Sequence, residues 1–286
     1  MTNPVHVRAS AELSAVLVLL VLLASITAFV EARELKVTIS GSSTVMPLAE
    51  LAAEEFNVLQ DSYHVSVTSG GTGVGIVDIA EGRSDIAMAS REVQPVERQR
   101  YDSPGRRLEE TLVGFDAICL IVSSEVYDSG VTSLTRDEVR GIYQGQITNW
   151  REVGGPDMEI FAIGRKPGSG TRDTFHEIVM GCREAEAPGI SMEASESSEV
   201  KTAVLWSDNA IGYVGYSYIL RGDVRVIALD GVLPTIESIK DGRYPLSRRL
   251  YFYTLGEPRP GARAFIDYLK SPEGQRIALE NGFIPA

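Results

Sequence analysis

Cysteine and histidine are scarce in this chain of 286 residues, which holds two of the first and three of the second. Cys119 sits inside the apolar run AICLIV and Cys182 follows a helix-like segment, so neither has metal-ligand spacing. A disulfide-stapled scaffold and a thiolate metal site are therefore excluded; two separate thiols are the expectation, although an oxidising compartment would permit a bridge. His6, His64 and His176 are scattered and form no metal cluster. The sequence also lacks HExxH, Gly-x-Ser-x-Gly, a carboxylate-rich metal pattern and the Lys-Ser/Thr ending of a nucleotide-binding P-loop, which removes the usual signatures of hydrolases and nucleotide enzymes. Positive charge is short as well, with 27 Lys and Arg against 39 Asp and Glu and a net charge of −12. Nucleic acid and anionic membrane would be repelled at long range. No cofactor and no metal is predicted.

What is present is a chain with 44% hydrophobic residues, long enough for two lobes with real cores. Leu13 to Val30 form an uncharged apolar run, and Val30 and Ala32 resemble a signal-peptidase site that would release a chain starting near Arg33. The run is also close to the ~20 residues that span a bilayer, so residues 1–32 read as a cleaved signal peptide or a retained anchor. Downstream, β-branched runs such as LKVTIS, YHVSVTS and SDIAMAS alternate with helical patterns, and the same rhythm starts again after residue 114. That alternation predicts an α/β fold. The stretch from Cys182 to Ser198, rich in Glu, Ser, Ala and Pro, reads as an exposed loop.

Three strand-to-helix turns carry the functional signal: Gly41-Ser42-Ser43-Thr44, Ser69-Gly70-Gly71-Thr72-Gly73 and Gly168-Ser169-Gly170-Thr171. Each helix N-terminus leaves amides unpaired and carries about half a positive charge, which suits an anion. Any one turn alone is explained by helix capping, since Ser and Thr are preferred caps. Three together point to a small oxyanion enclosed from several directions. Arg165 lies four residues before Ser169, Arg172 follows Thr171, and Ser90-Arg91 ends a strand run; the planar guanidinium matches oxyanion geometry and stays charged.

The run Arg165-Lys166-Pro167-Gly168-Ser169-Gly170-Thr171, with GSST at 41 to 44, GGTG at 70 to 73, GRSDIAMASRE from Gly82, GQITNW ending at Trp150 and AIGYVGYSY from Ala210, resembles the PstS-like phosphate-binding proteins of Pst-type ABC importers. The resemblance runs from about Leu35 to the C-terminus. It implies a two-lobed periplasmic-binding-protein fold of the Venus-flytrap, type II kind, with two crossovers; residues 33–114 plus 223–286 would form lobe 1 and 115–222 lobe 2. It further implies a non-enzymatic, monomeric protein exported from the cytoplasm, whose partners are inorganic phosphate and a separate permease and ATPase complex. Ser43, Thr44 and Val45 would contribute from the first turn, and Arg165, Ser169, Gly170 and Thr171 from the third. In the second turn the family's serine position falls on Gly70, leaving backbone amides and Ser69 or Thr72. Near Ser90 the family's proton-accepting aspartate is replaced by Arg91, with Asp85 and Asp116 as candidate acceptors. That acceptor distinguishes phosphate from sulfate, so the alternatives are another tetrahedral oxyanion (sulfate, molybdate or tungstate) and, further off, a phosphate-ester hydrolase using Ser42, Ser43 or Ser169.

Overall fold

A computed structural model describes residues 35–286; the leader or anchor at 1–32 and His6 lie outside the described residues. Ten strands join in one sheet: β1 Leu35–Gly41, β2 Tyr63–Ser69, β3 Ile86–Ala89, β4 Leu108–Val122, β5 Ser133–Leu134, β6 Phe161–Arg165, β7 Ile190–Ala194, β8 Ala210–Gly215, β9 Arg225–Leu229 and β10 Ser247–Leu255. Their order is β2-β1-β3-β10-β4-β8-β6-β7, with β9 beside β4 and β5 beside β9.

The two ends of that order are built alike. In the first lobe β1 pairs in parallel with β2 and β3; in the second β6 pairs in parallel with β7 and β8. Parallel neighbours need crossover helices, supplied here by Met46–Leu59 and Thr72–Ala80 in the first lobe and by Gly170–Phe175 and Ser197–Leu205 in the second. Helices that cover both faces leave the central strands dry. All four residues of β3 and all six of β8 are buried, which is why both read as unbroken apolar runs. In such sheets ligands bind beyond the carboxyl ends of the strands, where strand order reverses, and here those are the ends of β1 and β6.

Separate cores support the two lobes. Val37, Leu48, Phe56, Phe252 and Phe265 belong to one; Leu120, Trp150, Phe175, Tyr213 and Leu229 belong to the other. The long strand β4 leaves the first lobe and enters the second, while β10 runs antiparallel beside it. One boundary differs from the sequence reading. β9 pairs with the second-lobe end of β4, and Ile239, Tyr244 and Leu246 fill the second core, so the packing sets the return crossing near Ser247 rather than at 223.

A second difference concerns Cys182 to Ser198, which contains β7 rather than only loop. β7 lies at the sheet edge and alternates partly buried with exposed residues. Such a strand needs little apolar content, so composition alone conceals it. Both thiols are free, Cys119 buried in β4 and Cys182 exposed.

Candidate functional site

The three turns open helices as the sequence predicts. Val45 precedes the helix Met46–Leu59, Gly71 precedes Thr72–Ala80 and Ser169 precedes Gly170–Phe175, its Oγ accepting from the Arg172 amide. Gly71 has φ of 91°, a left-handed conformation that side-chain-bearing residues rarely adopt. The first and third turns occupy equivalent places, each following the central strand of its parallel unit. By the same symmetry a fourth turn, Ser195-Glu196-Ser197, follows β7 and opens Ser197–Leu205. Sequence reasoning missed it. The available signal was Glu196 three residues before Glu199, an N-terminal capping pair that the structure forms.

Across the cleft the lobes touch. Thr44 Oγ1 and Thr171 Oγ1 are 2.9 Å apart, and the Gly73 amide donates to the Gly168 carbonyl at 2.9 Å. Ser69 donates to Glu196 at 2.7 Å, and the Tyr218 hydroxyl donates to the Ser43 carbonyl at 2.7 Å. Gly170 stands against the end of the first lobe: a Cβ there would lie 2.5 Å from Thr72 Oγ1 and 2.6 Å from Ser90 Oγ. Ser43, Thr44, Thr72, Ser90, Arg165, Ser169, Gly170 and Thr171 are all buried around this contact.

Two candidates are placed elsewhere. Gly70 is exposed and gives its amide to Gly41, so Thr72 rather than Gly70 faces the third turn. Val45 is fully buried in the first core, and its amide is engaged by the Ser42 carbonyl. Of the proposed acceptors, Asp85 accepts from the amide and hydroxyl of Thr38 in the middle of β1, whereas Asp116 is buried beside the cleft.

The arginines separate by their partners. Arg91, whose side chain is 4% exposed, donates Nε to Asp173 (2.7 Å) and both terminal nitrogens to Glu97 (2.8 Å each). Burial opposes its charge, but the hydrogen bonds and fields of Glu97 and Asp173 prevail and raise its pKa. Its charge is spent on two carboxylates, so Arg91 locks the lobes together instead of presenting a free cation. Replacing Asp173 by asparagine removes one interlobe charge while keeping the side-chain shape. Opening of the cleft, followed by stopped-flow fluorescence, should then accelerate about tenfold, with melting of the protein nearly unchanged.

Arg165 is 1% exposed, and every hydrogen-bond partner it has among the described residues is a neutral oxygen. Nη1 donates to Ser197 Oγ (2.8 Å); Nη2 donates to Ser43 Oγ (3.2 Å) and the Ser195 carbonyl (2.7 Å); Nε donates to the Ala194 carbonyl (3.3 Å). Burial, with Arg248 adding to it, pulls its pKa below the ordinary guanidinium value. The field of Glu196 opposes burial without overcoming it; a buried cation with no carboxylate bonded to it costs several kcal/mol, and an anion entering the cleft would offset that. Arg248, on β10, is also buried here and was invisible to motif reading. It bonds Asp116 together with Thr44 and Thr171.

Behind the third turn His176 is wholly buried, with neither ring nitrogen hydrogen-bonded to a side chain. Burial, then the charge of Arg172, lowers its pKa from 6.5 to about 4. The unfolded chain takes up this proton near 6.5 and the folded chain only near 4. The contribution is therefore fully present above pH 6.5 and is lost as pH falls toward 4, by roughly 3 kcal/mol. In a His176→Leu variant that acid-sensitive component should vanish, so the melting-point gap between variant and parent at pH 7 should narrow or invert by pH 4.5.

A family model described as a PBP superfamily domain matches residues 27–273. The phosphate-binding protein PstS of Bacillus subtilis is 34% identical over 249 residues, covering 87% of this chain and 80% of its own. A substrate-binding protein assigned to phosphate ABC transport in Clostridium perfringens, solved with bound phosphate, is 34% identical with a TM-score of 0.80 over 88% of this chain and 99% of its own. An ABC-type phosphate transport receptor from Vibrio cholerae is 31% identical with a TM-score of 0.69, covering 87% of this chain and all of its own. The chain belongs to the PBP superfamily and, within it, to the PstS-like phosphate-binding proteins.

Proposed function

We propose that this protein captures inorganic phosphate in the interlobe cleft, outside the cytoplasmic membrane, and delivers it to the permease and ATPase of an ABC importer. The observation that carries the reading is Arg165, a buried cation whose hydrogen bonds all go to neutral oxygens, set among hydroxyls from both lobes. Arg165, Ser43, Thr44, Thr72, Ser90, Ser169, Gly170 and Thr171 form the anion site, with Arg91 acting through closure. The open form admits the anion, donors from both sides complete its shell, and the closed form is the one the transporter recognises. The protein works as a monomer and is exported, to the periplasm or the cell surface, through its N-terminal segment.

A hydrolytic role is disfavoured by the serines' surroundings. Ser43 Oγ meets Arg165 and Ser197, and Ser169 Oγ meets the Arg172 amide; among the described residues neither is hydrogen-bonded to a histidine or carboxylate that could take its proton, which a nucleophile of that kind needs. A second binding reading follows from the resemblance, which puts Arg91 where the family has its aspartate, so that a fully ionised oxyanion such as sulfate would meet no dedicated carboxylate there. Calorimetric titration with phosphate, sulfate and molybdate separates the two. Tight binding of phosphate alone supports the proposal; equal binding of sulfate supports the second reading; no binding of any anion refutes both.

A further inference from the structure

The register of β10 against β4 sets Arg248 opposite Asp116, where the two crossing strands run side by side. Asp116 Oδ2 accepts from Nε (3.0 Å) and Nη2 (2.7 Å) of Arg248, and Oδ1 accepts from the Tyr216 amide (2.9 Å). The two side chains are 3% and 0% exposed. The far edge of the guanidinium reaches into the cleft: Nη1 donates to Thr171 Oγ1 (2.8 Å) and Nη2 to Thr44 Oγ1 (3.0 Å). Arg248 thus holds one turn hydroxyl from each lobe.

A guanidinium has only protons to give, whereas a hydroxyl has one proton and two lone pairs. Both threonine oxygens must therefore act as acceptors toward Arg248. Their own protons are left to be donated forward, between the two hydroxyls as they stand or to an anion oxygen set between them. Asp116 fixes the fork from behind. A Cβ on Gly215 would lie 2.9 Å from Thr44 Cγ2, 3.0 Å from Asp116 Oδ2 and 3.3 Å from Arg248 Nη2, so glycine keeps that space open.

We propose that Arg248, held by Asp116, is the positioning residue of the cleft: it turns the Thr44 and Thr171 hydroxyls into donors for the anion and biases the site toward the more highly charged form of phosphate. The proposal rests on the phosphate reading above. The bias follows from orientation: the guanidinium edge faces the cleft with Asp116 behind it, so the pair presents the positive end of a dipole, and a dianion gains twice what a monoanion gains from it.

The test is titration of inorganic phosphate at pH 6 and pH 8 into the parent protein and an Arg248→Gln/Asp116→Asn double variant. Removing both charges together spares the fold an unpaired buried ion. The double variant is expected to melt near the parent and to bind phosphate about thirtyfold more weakly at pH 8, with a distinctly smaller loss at pH 6. A loss below threefold overturns the proposal, and so does an equal loss at both pH values, because a purely structural defect would weaken both forms alike. If the double variant does not fold, Arg248→Lys keeps the ion pair but cannot reach both hydroxyls. About a tenfold loss of phosphate affinity supports the proposal, and unchanged affinity overturns it. A parent protein that fails to bind phosphate refutes the underlying reading instead.

Discussion

Arg165→Ala should weaken phosphate binding at least a hundredfold while leaving the protein folded. The guanidinium is the charge that Ser43, Ser195 and Ser197 hold without neutralising. A hydrogen bond to a charged group contributes about 1.5–3 kcal/mol net, and truncating one partner of a buried charge contact costs about 2–5 kcal/mol, with each 1.4 kcal/mol worth tenfold. In the ligand-free protein the same removal also relieves a desolvated charge, so melting should hold or rise. Calorimetry and thermal unfolding of one variant sample read both quantities. A variant that keeps its affinity would mean the anion is held by the turns alone; one that merely unfolds would recast Arg165 as a structural residue.

Gly170→Ala is the second substitution with a large expected effect, and it acts by space rather than charge. The added methyl would meet Thr72 Oγ1 and Ser90 Oγ at 2.5 and 2.6 Å, both on the opposite lobe. The cleft would close only if those side chains or the third turn moved. Affinity should fall by about a hundredfold, and small-angle scattering should show the variant staying extended when phosphate is added, whereas the parent contracts. Because the clash lies between lobes and not within one, the melting point without ligand should hardly change, and alanine is the better helix former. Contraction equal to that of the parent would show that the closed form does not need this contact.

How much of this the sequence displayed depends on how local each feature is. The first and third turns are legible because Gly, Ser and Thr must be consecutive to end a strand and open a helix. The fourth, at Ser195–Ser197, is hidden in an acidic stretch beside an edge strand whose alternation is polar. Arg165 stands out by its spacing from Ser169. Arg248 does not, since its place depends on pairing β10 with β4, and its partner Asp116 is 132 residues away. Arg91 sits beside the right strand end, but its partners Glu97 and Asp173 lie 6 and 82 residues off; adjacency to a turn cannot reveal that a charge is already matched. The lobe boundary near Ser247 was obscured for the same reason: β9 declares its lobe only through the strand it joins.

The most direct measurement is a crystal structure grown with phosphate. The account predicts a single tetrahedral anion in the interlobe cleft, contacted by Arg165 and by hydroxyls of both Thr44 and Thr171, with Arg91 still on Glu97 and Asp173. An empty cleft with Arg165 still on Ser43 and Ser197, or an anion bound outside that cleft, would contradict it.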